Sequence, residues 1–263
     1  MDDKAVTDYL DRIGLDHPER PLDADALREL HRAHLLTVPF ENLSIHLAEP
    51  ISLVPDDLMA KIVGRRRGGF CYELNGAFAL LLERLGGRVQ RVAARVYGAD
   101  GLGPPFDHLA LVVHLSDGSG PWLADVGFGS HSVYPLEFES RTSQPDPGGT
   151  FALTDADKGD VEVRRDGAPQ YRIEQRERGL DEFVPTCWWQ QTSPQSHFTQ
   201  GTICSMLTPD GRISIADRTL IRTSAGARTE EQLTSDDELL AAYRDYFGVS
   251  LPLVPDKIRL ARP

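Results

Sequence analysis

The spacing of apolar residues changes period along the chain, and that change limits the fold more than any other feature. In the first third, apolar residues recur three and four apart: Val6, Tyr9, Leu10 and Ile13; Leu27, Leu30, His34 and Leu35; Leu58 and Ile62; then Leu74, Phe78, Leu81, Leu82 and Leu85. This spacing predicts four helices. Gly14, Val38-Pro39, Gly64 and Gly86-Gly87 provide stops, and Pro55-Asp56-Asp57 provides a start. From residue 91 the period falls to two. Val92, Ala94 and Val96 alternate with Arg91, Ala93 and Arg95, and His108, Ala110, Val112 and His114 with Leu109, Leu111, Val113 and Leu115. Residues 122–126, 150–154, 161–165 and 171–175 read as further short strands, and 141–149 as a surface loop. Such strands suggest a small barrel or sandwich. In the last third, strands over 198–207 and 212–216 flank a Thr208-Pro-Asp-Gly211 turn, and Ser235 caps a helix that Gly248 ends. Helical, then β, then mixed is the order of an α+β chain, not a βαβ one.

Charge removes several functional classes. Over 263 residues the formal net charge is −12, which argues against nucleic acid and anionic membrane surfaces as partners. No apolar run approaches the roughly 18 residues of a membrane helix, and the acidic, amphipathic N-terminus has no signal-peptide core. Three cysteines imply no disulfide framework and point to a reducing, cytoplasmic setting. No CxxC, HExxH, P-loop or GxGxxG pattern occurs. No metal site is expected, and His31, His34 and His46 read as polar helix residues rather than ligands.

Against that acidic background, residues 61–100 carry eight basic side chains and only three acidic ones. Within this stretch Arg65-Arg-Arg-Gly-Gly-Phe-Cys71 opens the most strongly patterned helix. A helix N-terminus with cations nearby favours a thiolate, so Cys71 is the candidate nucleophile, while Cys187 and Cys204 read as core. A nucleophilic Cys needs a base, and the base an orienting acid. If 108–115 and 122–126 pair as a hairpin, the start of one strand lies beside the end of the other, bringing His108 to Asp125. The basic stretch could also attract an anionic substrate. Val126-Gly-Phe-Gly-Ser130 allows close backbone approach by a ligand. Trp188-Trp189 read as packing.

Together these elements resemble the arylamine N-acetyltransferase family. The likeness runs through Tyr9-Leu-x-Arg-Ile-Gly14, Pro39-Phe-Glu-Asn-Leu43, Arg67-Gly-Gly-Phe-Cys71-x-Glu-x-Asn75, the His108 strand, Asp125-Val-Gly-Phe-Gly129 and Ser193-Pro-x-Ser-His-Phe198. It implies a helical N-terminal domain (1–87), a β-barrel (88–190) and an α/β lid (191–263). It implies a Cys71-His108-Asp125 triad that takes acetyl from acetyl-CoA as co-substrate, with no permanently bound cofactor, and passes it to an arylamine or arylhydrazine in a ping-pong cycle. By the same resemblance the Tyr72 N–H serves the oxyanion. Phe40, Val96, Phe128 and Phe198 line the acceptor pocket, Gly127, Gly129 and Ser196 contact CoA, and Glu41 and Arg67 form a supporting ion pair. The chain departs from the family's pattern at Pro104-Pro-Phe-Asp107 and Trp188-Trp-Gln-Gln191. Asp107 adds a negative charge beside the base, which bears on acceptor choice.

Two other enzyme readings share the triad. A macrolactam-forming amide synthase would take a long acyl chain from a carrier protein. A thiol hydrolase would lack the Arg67-Gly-Gly-Phe and Ser193-Pro-x-Ser-His-Phe elements, both present here. A silent binding module has no need of a complete triad.

Overall fold

The computed structural model describes residues 1–17 and 21–255. Helix α1 (Asp3–Ile13) begins at Asp2, whose carboxylate accepts the Ala5 N–H, and ends at Gly14 in the left-handed region. Asp23 caps α2 (Ala24–Thr37) in the same way. Short β1 (Phe40–Glu41) and α3 (Leu43–His46) follow, then α4 (Pro55–Met59), which runs into a single π turn at Ala60–Gly64. Helix α5 (Cys71–Arg84) is buried on nearly every side, as a helix at the centre of a core must be. Val6, Leu10, Leu27, Leu30, Leu74, Phe78 and Leu82 form one apolar cluster around it.

The middle of the chain is one antiparallel sheet. Its strands are β2 (Arg88–Gly98), β3 (Gly101–Leu102), β4 (His108–His114), β5 (Trp122–Ala124), β6 (Leu136–Glu137), β7 (Gln144–Asp146), β8 (Gly149–Asp155), β9 (Val161–Arg165) and β10 (Ala168–Glu177). They order as β6-β5-β4-β2-β10-β9-β8-β7, with β3 folded back on β2. The sheet curls into a nearly closed barrel, filled by Val92, Ala110, Val112, Leu123, Phe151, Val163 and Tyr171. Strand β4 is buried on both faces: Ala110 and Val112 face the barrel, while Leu109, Leu111 and Val113 face α5. The expected loop at 141–149 is in part a strand, because β7 pairs with β8 from Gln144 to Phe151. Its two prolines and two glycines hid a short edge hairpin.

Residues 180–192 leave the barrel. A 3₁₀ turn (Leu180–Phe183) and α6 (Val184–Thr192) place Phe183 and Cys187 in the helical cluster. The expected barrel segment therefore ends in packing terms before residue 190, and Cys187 is core on a helix rather than a strand. Trp188 lies on the outer face of α6 and is 64% exposed, so only part of the Trp pair packs.

The third layer is the sheet β1-β11-β12-β13-β14, with β11 (Ile203–Thr208), β12 (Gly211–Ala216), β13 (Thr219–Ser224) and β14 (Ala227–Gln232). One face packs on α7 (Asp236–Phe247) through Ile213, Ile215, Leu220, Leu239 and Tyr243. Ser235 and Glu238 form the capping box of α7, and Gly248 ends it. The strand expected from 198 begins only at Ile203, because His197–Thr199 is a 3₁₀ turn capped by Ser196. Strand β1, from the N-terminal third, pairs with β11 and ties the lid to the helical layer. None of the helices among the described residues is long and apolar enough to cross a membrane.

Candidate active site

Cys71 is the first residue of α5, and the segment before it is fixed by close backbone contacts. Phe40 and Gly69 form a parallel bridge, and the Glu41 N–H donates to the Gly69 carbonyl at 2.8 Å. A Cβ on Gly68 would collide with the Pro39 carbonyl oxygen, and one on Gly69 would come 2.6 Å from a Glu73 carboxylate oxygen. The bridge brings Arg67 to Glu41 at 2.9 Å, both side chains buried, and the same guanidinium reaches Glu49 at 3.1 Å and Ser44. The expected supporting pair is therefore formed. A second buried pair joins Lys61 to Glu73 at 2.6 Å, and Glu73 reaches back to accept the Phe70 N–H at the helix start. The Tyr72 N–H belongs to the first turn of α5, where amides have no intrahelical acceptor. The Tyr72 hydroxyl donates to the carbonyls of Phe106 and Asp107 and so anchors the loop before His108.

Strands β4 and β5 pair with Leu111 opposite Ala124. Continuing that register puts Asp125 opposite Ala110, diagonal to His108 on the barrel-facing side, within reach of a side-chain contact. His108 Nε2 lies 2.7 Å from Asp125 Oδ2, which leaves Nδ1 for the cysteine; Cys71 and His108 line the same cavity, and Cys71 Sγ lies 4.0 Å from the Asp107 carbonyl oxygen. The Asp125 carboxylate is fully buried and also accepts from the Tyr171 hydroxyl (3.0 Å), Asn75 Nδ2 (2.8 Å) and the Gly127 N–H (3.0 Å). Burial by itself raises a carboxyl pKa, but here the charge of His108 and its hydrogen bond outweigh burial, and Asp125 stays well below the usual carboxylate range. Burial alone would likewise push His108 down, yet Asp125, with Cys71, holds its pKa up at about 10. The triad thus contains an imidazolium carboxylate pair facing the sulfur.

Three residues that support this pair were not picked out as site residues in the sequence. Asn75 stands one turn after Cys71, so it shares that helix face; besides Asp125 it holds Leu109 and Val126. His31, on α2, accepts the Asp125 N–H and donates to the Val133 carbonyl. Tyr171 comes from β10, across the barrel. Only Asn75 carried a signal, its i, i+4 spacing from the cysteine. The other histidines once weighed as ligands have separate partners: His34 meets the Tyr9 hydroxyl, and His46 meets the Phe198 carbonyl.

A cavity of about 500 Å³ opens beside Cys71 and His108. All four apolar residues expected there, Phe40, Val96, Phe128 and Phe198, line it. Gly127 also lines it and packs on the nucleophile: a Cβ there would come 2.8 Å from Cys71 Cα. Gly129 and Ser196 do not line it. Gly129 takes a left-handed φ of +85° under the Phe40 ring, and Ser196 is a buried cap, donating to Gln190 and accepting the Phe198 N–H. Its hydroxyl is already used within the protein. None of the cations of the basic stretch lines this cavity. Lys61, Arg67, Arg84 and Arg91 are paired with Glu73, Glu41, Asp3 and Glu83. Asp107 does line the cavity; burial raises its pKa, and Gln190 Nε2 (2.7 Å) and the Val96 N–H hold its carboxylate.

Comparison with known proteins finds relatives over nearly the whole chain. A family model described as N-acetyltransferase matches residues 23–255. The arylamine N-acetyltransferase of Mycolicibacterium smegmatis is 34% identical over 251 residues, covering 92% of this chain and 91% of the relative. The solved structure of the M. smegmatis enzyme superposes with a TM-score of 0.87 at 33% identity, covering 95% and 93% of the two chains. The arylamine N-acetyltransferase of Mycobacterium marinum in complex with CoA gives a TM-score of 0.85 at 31% identity, covering 93% of this chain and 92% of that one.

Proposed function

The chain belongs to the arylamine N-acetyltransferase family, and on that premise we propose that it carries acetyl from acetyl-CoA to an arylamine or arylhydrazine through a thioester on Cys71. The observation that carries this reading is the buried His108–Asp125 pair at 2.7 Å, set against a helix-borne cysteine in an aromatic-walled cavity.

The Cys71 thiolate attacks the acetyl carbonyl. The Tyr72 N–H faces the developing oxyanion, a donor that strengthens as charge builds. The carbon–sulfur bond to CoA breaks, and His108 gives its proton to the departing thiolate. This leaves acetyl-Cys71 and a neutral imidazole. The amine then attacks the same carbon, His108 takes its proton, and the bond to Cys71 breaks. Thiolate and imidazolium are restored, so each half-reaction resets the other. Asp125 holds the imidazole in one orientation and favours its charged form. Phe40, Val96, Phe128 and Phe198 offer an acceptor of one or two rings an apolar slot. Gly127 lets the donor approach the backbone.

CoA as donor is supported by the M. marinum relative, solved with CoA. No permanently bound cofactor is needed for these steps. Three free cysteines support a reducing cytoplasm as the setting.

Steady-state rates over a grid of acetyl-CoA and aniline concentrations test the cycle. Parallel double-reciprocal lines are expected. Intersecting lines would mean that both substrates bind before transfer and would rule out the covalent route.

A further inference from the structure

A second cavity, of about 550 Å³, is lined by Arg32, Arg165, Arg212, Ser130 and His131. It is walled by the same two segments as the first. In the lid sheet, Ile203 pairs with Ala216, Ser205 with Ser214 and Leu207 with Arg212, all on the face turned away from α7. Ile203 and Ala216 line the first cavity, and Leu207 and Arg212 line the second. The opposite wall runs in parallel: Gly127 and Phe128 border the first, Ser130 and His131 the second. Four residues of strand separate Ala216 from Arg212, about 13 Å at the usual rise. An extended pantetheine arm spans that distance.

The second cavity is chemically incomplete as it stands. Arg212 donates to the Ser205 hydroxyl at 3.0 Å and has no carboxylate at ion-pair distance among the described residues. Burial, then the nearby Arg165, lower its pKa to about 10. Arg165 reaches Ser130 Oγ at 3.3 Å and has only a long contact to the exposed Asp166, at 3.7 Å. Asp210 also lines the cavity; its carboxylate accepts from the Ser224 and Thr208 hydroxyls, which favour its charged form, and it forms no ion pair with Arg165 or Arg212 among the described residues. His131 is buried, and its Nε2 has no hydrogen-bond partner among the described residues. Two guanidiniums on one cavity, one of them half-buried with no carboxylate at ion-pair distance, plus an unsatisfied imidazole nitrogen make a site for a phosphate ester.

We propose that this cavity is the phosphate end of the donor groove, where Arg165 and Arg212 take the phosphates of CoA while the thioester lies at Cys71. The assignment rests on the acetyl-CoA reading above. It separates the two halves of the donor: walls beside Cys71 recognise the acyl end, and the far end of the β11–β12 hairpin recognises charge.

The test compares kcat/KM for acetyl-CoA with that for S-acetyl-N-acetylcysteamine, the same thioester without phosphates, in wild type, Arg212→Gln and Arg165→Gln. Each variant is expected to lower the ratio at least about tenfold, through KM for acetyl-CoA. Adenosine 3′,5′-bisphosphate should compete with acetyl-CoA in wild type and lose potency in both variants. Thermal melts establish that both variants fold, and Arg165→Gln, on a partly exposed strand end, secures the comparison if Arg212→Gln does not. An unchanged ratio in both overturns the proposal. So does competition by inorganic phosphate with none by the bisphosphate, which would make the cavity a free-anion site. If wild type is acetylated on Cys71 by the short thioester and never by acetyl-CoA, the donor reading itself fails.

Discussion

Asp125 accepts four hydrogen bonds inside the barrel, and this solvation by protein donors lets it stay charged beside His108. Asp125→Asn removes the charge but keeps the shape. Burial of His108 is then opposed by Cys71 alone and pushes the imidazole toward its neutral form. Acetyl transfer should fall about 10³-fold or more, by analogy with the loss of the acid in serine-protease triads; a loss under tenfold would show that the carboxylate does not set the charge state. The same pair makes stability depend on pH. His108 titrates higher folded than unfolded, so its contribution is complete below the ordinary value near 6.5 and fades as pH rises through about 10. Asp125 titrates lower folded than unfolded, so its contribution is complete above about 4 and fades as pH falls further. Melting temperature against pH should show both limbs in wild type and lose them in Asp125→Asn. Asp107 places a second, partly buried acid in the acceptor cavity. A carboxylate-bearing acceptor must meet it, so kcat/KM for 4-aminobenzoate should lie below that for aniline. Asp107→Asn should raise the 4-aminobenzoate to aniline ratio by about tenfold, a one-unit electrostatic effect. No change would place Asp107 outside acceptor recognition.

The start of α5 is where local chemistry and site construction coincide. Gly68 and Gly69 admit the Pro39–Glu41 strand, and the buried Arg67–Glu41 pair locks that strand against the helix. Arg67→Ala leaves Glu41 charged and buried, which should cost about 3–5 kcal/mol in urea unfolding; less than 1 kcal/mol would mean that water enters the site. Element boundaries were legible where a cap or periodic face marked them. Ser235, Gly14 and Gly248 cap as read, and Leu74, Phe78 and Leu82 face the core as read. Boundaries failed where turn chemistry mimicked another state. Pro145 and Pro147 disguised the β7–β8 hairpin, and the Ser196 cap turned an expected strand start into a 3₁₀ turn.

At the scale of the molecule, three apolar clusters meet around one groove. The helical layer supplies Cys71 and Asn75, the barrel supplies His108, Asp125 and Tyr171, and the lid supplies the face that covers them. The α+β order and the contact between His108 and Asp125 followed from periodicity and one hairpin. Tyr171 and His31 did not, because nothing local in sequence records which strand crosses a barrel or which helix backs it. Charge is no more legible: four of the eight basic residues clustered in sequence are paired with acids in space, while Arg165 and Arg212, distant in sequence, line one cavity. The central claim is that Cys71 carries the acetyl group between two substrates. The most direct measurement is intact mass after mixing the protein with acetyl-CoA and no acceptor, beside Cys71→Ala. One acetyl group on wild type alone, discharged when aniline is added, is the expected result. An adduct that persists in Cys71→Ala, or one that aniline does not remove, would contradict the account.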